Sequence, residues 1–243
     1  MSLSVRVLGV GDAFTALYTN ASLILEGEGT RLLVDAPPAL NRALRALPGE
    51  PLSLDGIDRV LITHLHGDHV GGLEQLLFWR RFVTKKPCVI HAIPEVLADL
   101  WETRLKGAMS RLVEPSGKVH ELKLEDYAQI VPLAPGVNRI GAFELEWRKT
   151  IHHIPTSALR VRCGEKRLGY SADTSFDPGL IEWLAESDIF FHETNHGIHT
   201  PLDKLAALPG PLRSRMKLIH YPDEHDPTRS PIPCALEGER IDI

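Results

Sequence analysis

The sequence predicts a mixed α/β fold made of two β-rich halves that each carry helices. Short apolar runs such as Val60-Leu61-Ile62 recur along the chain and end in polar or acidic residues, as buried strands feeding a site do. Segments with helical spacing, bounded by Pro or Gly, alternate with these runs. Gly-Glu pairs separate neighbouring runs at hairpin distance.

Taken in order, residues 4–8, 21–26 and 31–34 read as three strands, with Glu26-Gly27-Glu28-Gly29 marking the hairpin between the last two. Pro37-Pro38 opens a short helix over 38–47, and Pro48-Gly49 ends it. Residues 57–63 form a strand, 73–83 a helix, 87–92 a strand and 95–106 a helix. Residues 107–150 are β-rich, with turns at Pro115-Ser116-Gly117 and Pro135-Gly136. A hairpin follows, 159–163 and 166–170, around Gly164-Glu165. The remaining elements are a helix at 177–186, a strand at 189–192, a helix at 202–208 and a strand at 217–219.

At 243 residues the chain holds one large domain or two small ones, and its 43% hydrophobic share suits a globular enzyme with a core. A net charge of −5 argues against a face that grips nucleic acid, while leaving room for a local site whose bound metals carry the positive charge. Cys88, Cys163 and Cys234 are isolated and odd in number, so neither a CxxC metal pair nor a disulfide framework is expected. A reducing cytosol is the expected compartment. The first residues run straight into a strand pattern without an apolar signal region, and no stretch has the length of a membrane span, so a cytoplasmic protein without a membrane partner is expected.

The densest chemistry is His64-Leu65-His66-Gly67-Asp68-His69, directly after the run Arg59-Val60-Leu61-Ile62-Thr63. In an extended segment His64 and His66 point to the same side. Gly67 permits a sharp change of direction, and Asp68 and His69 then stand at the start of the helix that begins near Gly72. One loop can thus supply ligands to two adjacent metal ions, with imidazole suiting zinc and a carboxylate joining it.

This hexapeptide resembles the His-x-His-x-Asp-His signature of the metallo-β-lactamase superfamily. Val5-Arg6-Val7-Leu8-Gly9-Val10-Gly11-Asp12 is similar to that family's opening strand and glycine loop, and Arg31-Leu32-Leu33-Val34-Asp35 to the Asp-terminated strand before the signature. The resemblance covers nearly the whole chain. It implies a four-layer α/β/β/α sandwich, a single hydrolase domain over 1–243, with a capping insertion over about 95–124. Further motifs resemble the family in order. Thr150-Ile151-His152-His153-Ile154-Pro155 is similar to the third-histidine segment of ribonuclease Z-like members, whose register selects His152 over His153. Gly169-Tyr170-Ser171-Ala172-Asp173-Thr174 resembles the bridging-aspartate motif, and Lys217-Leu218-Ile219-His220-Tyr221 the last ligand. The implied sites are His64, His66 and His152 for one metal and Asp68, His69 and His220 for the other, bridged by Asp173. Two divalent ions are implied, Zn²⁺ first and Mn²⁺ or Fe²⁺ as alternatives, with a metal-bound hydroxide as nucleophile.

Phe191-His192-Glu193-Thr194-Asn195-His196-Gly197-Ile198-His199-Thr200 resembles a ribonuclease Z-like pattern in which an acidic residue orients a later histidine that protonates the leaving group. By position these are Glu193 and His199, which join Asp68 as candidate catalytic residues; the bland alternative is that His192, His196 and His199 line a polar loop. Only twenty residues separate His152 from Asp173, room for a hairpin and not for the long arm with which such nucleases hold transfer RNA. The expected substrate is therefore a small or cyclic phosphodiester or nucleotide-like ester, without extended tRNA binding, and the resemblance allows a homodimer. The alternative is a dizinc hydrolase of a carboxylic ester, thioester, lactone or lactam, for which Arg80 or Arg160 would hold a substrate carboxylate. The segment Phe78-Trp79-Arg80-Arg81-Phe82-Val83-Thr84-Lys85-Lys86 either touches phosphate or a base, or is a helix with solvated cations.

Overall fold

The computed structural model describes residues 2–243. Seven strands form one sheet in the order Arg240–Asp242, Ser4–Gly9, Ser22–Gly27, Thr30–Val34, Arg59–Leu61, Cys88–Ala92 and Ala128–Pro132. Six form the other, in the order Met216–Ile219, Ile189–Glu193, Lys166–Tyr170, Ser157–Cys163, Phe143–Lys149 and Asn138–Ile140. Side chains from both sheets share one continuous hydrophobic core, and helices complete the α/β/β/α sandwich. The helix Leu73–Trp79 buries Leu73, Leu76 and Leu77, while Pro178–Leu184 buries Leu180, Ile181, Trp183 and Leu184. Asp177 caps the latter, accepting from the Gly179 and Leu180 N–H groups.

Strand direction decides where chemistry can stand. Thr30–Val34, Arg59–Leu61, Cys88–Ala92 and Ala128–Pro132 run parallel. So do Lys166–Tyr170, Ile189–Glu193 and Met216–Ile219 in the second sheet. The loops leaving their C-terminal ends carry Asp35, His64 to His69, Asp173, Glu193 to His199 and His220. The hairpin between Ser22–Gly27 and Thr30–Val34 turns at Glu28 and Gly29, both at positive φ (46° and 74°), the geometry a two-residue turn requires.

Several elements differ from the sequence expectation. The strand expected over 57–63 is laddered only over Arg59–Leu61, because a 3₁₀ turn at Leu54–Gly56 precedes it and Thr63 turns away to bond Asp35. Asp68 and His69 lie in a separate one-turn helix, Gly67–Val70, rather than at the start of the next one. The helices expected over 73–83 and 95–106 widen into π-turns at Arg80–Thr84 and Leu100–Leu105, and the second continues to Met109. In the β-rich segment, Arg111–Val113 and Val119–Glu121 pair only with each other, outside both main sheets. The helix Gly210–Arg213 and the edge strand Arg240–Asp242 are additional to the elements expected from the sequence.

Candidate dinuclear metal centre

The loop after Arg59–Leu61 is fixed by one buried carboxylate. Asp35 follows its strand at φ 63°, in the left-handed region. Its Oδ1 accepts from the Thr63 backbone N–H at 2.8 Å, and the Thr63 hydroxyl donates to Oδ2 at 2.8 Å. Asp35 Oδ2 also lies 2.8 Å from His69 Nδ1. With that ring proton on Nδ1, the His69 Nε2 lone pair faces the cavity. His64 Nδ1, 3.1 Å from the Thr63 hydroxyl, is oriented in the same way. Two further turns are held in the left-handed region where they enter the cavity, at Ala172 (φ 49°) and His220 (φ 55°).

Two groups of donor atoms result. His64, His66, His152 and Asp173 converge in one, Asp68, His69, Asp173 and His220 in the other, and Asp173 belongs to both. In the first, His152 Nε2 lies 3.0 Å from His66 Nδ1, and Asp173 Oδ2 stands 3.6 Å from His64 Nε2 and 3.7 Å from His152 Nε2. In the second, His69 Nε2 is 3.2 Å from Asp68 Oδ2 and 3.3 Å from Asp173 Oδ1, while His220 Nε2 is 3.3 Å from Asp68 Oδ2. Ligands bound at about 2.0–2.1 Å around a tetrahedral ion are themselves about 3.3 Å apart, so both groups have the spacing a divalent metal needs.

The unsatisfied atoms agree. His64 Nε2, His69 Nε2 and Asp173 Oδ1 are buried with no hydrogen-bond partner among the described residues, which is costly unless something else occupies the cavity between them. Charge points the same way. Burial holds the His64 pKa well below the ordinary imidazole range and lowers His152 to about 4, leaving neutral lone pairs in the first group. In the second group, burial works against charge, yet Asp173 and the neighbouring carboxylates raise His69 well above its usual value and bring His220 to about 9. Without a cation the carboxylates thus gather protons on His69 and His220, the same positive charge a metal would supply. The residues present therefore fit two divalent ions.

Beside these groups, Glu193 Oε1 accepts from the Thr174 N–H at 2.7 Å and lies 3.0 Å from His199 Nδ1. Its Oε2 is buried, without a hydrogen-bond partner among the described residues, and 4.0 Å from His220 Nδ1. The His199 side chain is 19% exposed, at the mouth of the cavity, with its ring 5.4 Å from that of His152 and 5.2 Å from that of His220. Burial lowers the His199 pKa, but the hydrogen bond and charge of Glu193 outweigh it and raise the group above the ordinary imidazole value.

The structure thus brings His64, His66, Asp68, His69, His152, Asp173, Glu193, His199 and His220 into one cavity. It leaves others outside. His153 is exposed, its ring 5.3 Å from that of His152. His192 turns back, Nδ1 2.8 Å from the Glu193 carbonyl, and His196 pairs with Glu224 at the surface. Arg160 pairs with Glu146 and Glu186 over Trp183, and Arg80 lies at the opposite, N-terminal end of the parallel strands, so neither serves the carboxylate-binding role considered for acyl substrates. Asp35 was noted in the sequence only as a strand end; its signal is the acidic residue closing Leu32-Leu33-Val34. Arg104, from the insertion, carried no signal. A β-carbon added to Gly67 would stand 3.4 Å from Arg104 Nη2, and no carboxylate pairs with this exposed guanidinium among the described residues.

A family model described as anti-Pycsar protein Apyc1 matches residues 3–232. An anti-Pycsar protein Apyc1 of Paenibacillus sp. (strain J14) is 33% identical over 238 residues, 94% of this chain and 93% of the relative. Another, of Bacillus phage 010DV004, is 32% identical over 237 residues, covering 91% and 90%. Among solved structures, the metallo-β-lactamase fold protein YhfI of Bacillus subtilis superposes with a TM-score of 0.77 at 18% identity over 100% of both chains. The short form of human tRNase Z does so with 0.69 at 22% identity over 98% of each.

Proposed function

The chain belongs to the Apyc1 family of anti-Pycsar proteins and is a metal-dependent hydrolase of the metallo-β-lactamase fold, and on that premise we propose that its substrate is a small phosphodiester, a cyclic mononucleotide being the first to test. The observation that carries this reading is the Glu193–His199 pair at the mouth of the two donor groups. An alkoxide is a poor leaving group until protonated, and a histidine held charged beside it supplies the proton.

In this reading His64, His66 and His152 hold one ion and Asp68, His69 and His220 the other, with Asp173 shared. Zinc is the expected metal, given five imidazoles to two carboxylates in the paired donor groups. Two such ions, when bound, acidify a water and draw charge from the phosphoryl oxygens. The remaining work falls to the chain. Asp35 fixes the His69 ring and the Thr63 turn. Asp68 faces His69 and His220 and keeps its charge, held below the usual carboxylate range by them despite burial. Glu193 holds Nδ1 of His199 so that Nε2 faces the substrate and donates to the departing oxygen. Arg104, beside Gly67, is free to take a substrate phosphate oxygen. The tight hairpin Ser157–Cys163 and Lys166–Tyr170 fills the stretch between His152 and Asp173, which favours a small ligand over an extended RNA.

The test is hydrolysis of 3′,5′-cyclic mononucleotides by metal-loaded and metal-stripped protein. Metal-dependent ring opening to a nucleoside monophosphate is expected. Turnover of acyl esters or lactones with no phosphodiester turnover, from fully metallated protein, would sink the reading.

A further inference from the structure

At the end of the first sheet remote from the metal centre, a cavity of about 460 Å³ opens between the hairpin turn at Glu28-Gly29 and the N-terminal ends of the strands Arg59–Leu61 and Cys88–Ala92. Four cations line it, Arg31, Arg59, Arg80 and Lys86. Two are already paired: Arg31 with Glu26 at 2.7 Å and Arg59 with Asp58 at 3.0 Å. The third acid of the cavity, Asp55, accepts from the Trp79 indole N–H at 2.9 Å.

Arg80 is different. It is only 5% exposed, yet among the described residues no carboxylate pairs with it. Its Nε donates to the Lys86 carbonyl at 3.0 Å and its Nη1 to the Asp55 carbonyl at 3.2 Å, which fixes the guanidinium plane while leaving the charge uncompensated. The backbone is shaped to hold it there. The helix widens at Arg80–Thr84, and the Arg80 carbonyl receives the Thr84 hydroxyl at 2.9 Å and the Lys86 N–H at 3.1 Å. Lys85 takes φ 58° to close that turn. Lys86, likewise without an ion pair among the described residues, stands at the rim. A buried unpaired charge is costly, and a conformation that preserves one is explained when a counter-ion from outside occupies the cavity.

We propose that this cavity is a second, non-catalytic ligand site that binds the phosphoryl group of a small molecule, with Arg80 as its fixed anchor and Lys86 as its mobile one. A planar guanidinium with an open edge matches two oxygens of a phosphate, and the volume accommodates a phosphate monoester or pyrophosphate with an organic substituent. The site lies across the sheet from the metal centre and is independent of the activity assigned there.

The experiment is calorimetric titration of metal-loaded protein with pyrophosphate, in the wild type, Lys86→Glu and Arg80→Met. Pyrophosphate also binds metal ions, so the wild type should show two classes of site. Lys86→Glu should weaken one class at least tenfold and leave the other, together with hydrolysis of bis(p-nitrophenyl) phosphate, unchanged. Arg80→Met should abolish the same class; should that variant fail to fold, Lys86→Glu alone decides. A single class in the wild type, or a second class indifferent to Lys86→Glu, overturns the proposal.

Discussion

His199 is held by one carboxylate oxygen and keeps 19% of its side chain exposed, an arrangement suited to losing and regaining a proton. Replacing it by Ala should lower kcat by about 10²–10⁴-fold, the usual contribution of a positioned acid, with metal content by atomic absorption unchanged. Its raised pKa keeps the acid form above the ordinary histidine range, so rate should fall on the alkaline side at a pH above 6.5. Glu193→Gln removes the charge that raises it and should move that limb to lower pH in a kcat–pH profile; an unmoved limb would assign it to another group. Asp35→Ala frees the His69 ring and should weaken metal binding about 10–100-fold in a chelator competition. His64, His66, Asp68 and His69 were legible in the sequence because six consecutive residues contain four metal-capable side chains. The role of Asp35 was not, because its partners Thr63 and His69 lie 28 and 34 positions away. His152 and not His153 joins a donor group, and a bend at 151–154 rather than a strand separates the two rings.

At the level of elements, apolar runs and Gly turns located the strands that deliver the site, since burial and turn chemistry act locally. What escaped the sequence were features set by distant contacts. The edge strand Arg240–Asp242 has one apolar residue, Ile241, and is strand only because Ser4, Val5 and Arg6 present a free edge to it. The two π-turns interrupt segments whose spacing is ordinary for an α-helix; in each a threonine hydroxyl, Thr84 or Thr103, donates to the carbonyl four residues back, Arg80 or Asp99. The second of these turns carries Arg104 to the Gly67 loop. If the insertion grips substrate, Arg104→Ala should raise KM about tenfold, the worth of one charge-assisted hydrogen bond, and spare kcat in steady-state assays. Equal loss of both parameters would make Arg104 part of the chemistry or of the fold.

Across the whole molecule, the metal centre and the core should depend on one another. In metal-free protein, His69 and His220 have pKa values raised above the unfolded value of 6.5, His220 to about 9. The stability they contribute is present below pH 6.5 and lost as pH rises through 9, so the melting temperature of chelated protein should drop across that window. Metal-loaded protein should show no such drop, and parallel curves would contradict the assignment of these histidines. The donors come from segments beginning at His64 and ending at His220, and they meet only where the C-terminal ends of the parallel strands of both sheets come together. A nascent chain emerging from the ribosome therefore displays the histidine-rich loop long before Asp173 and His220 exist to complete it. During that interval the loop carries four donor side chains, while neither donor group is complete. The first group can close once Asp173 has been made, but the second waits for His220, so the paired centre is among the last features of the chain to be completed.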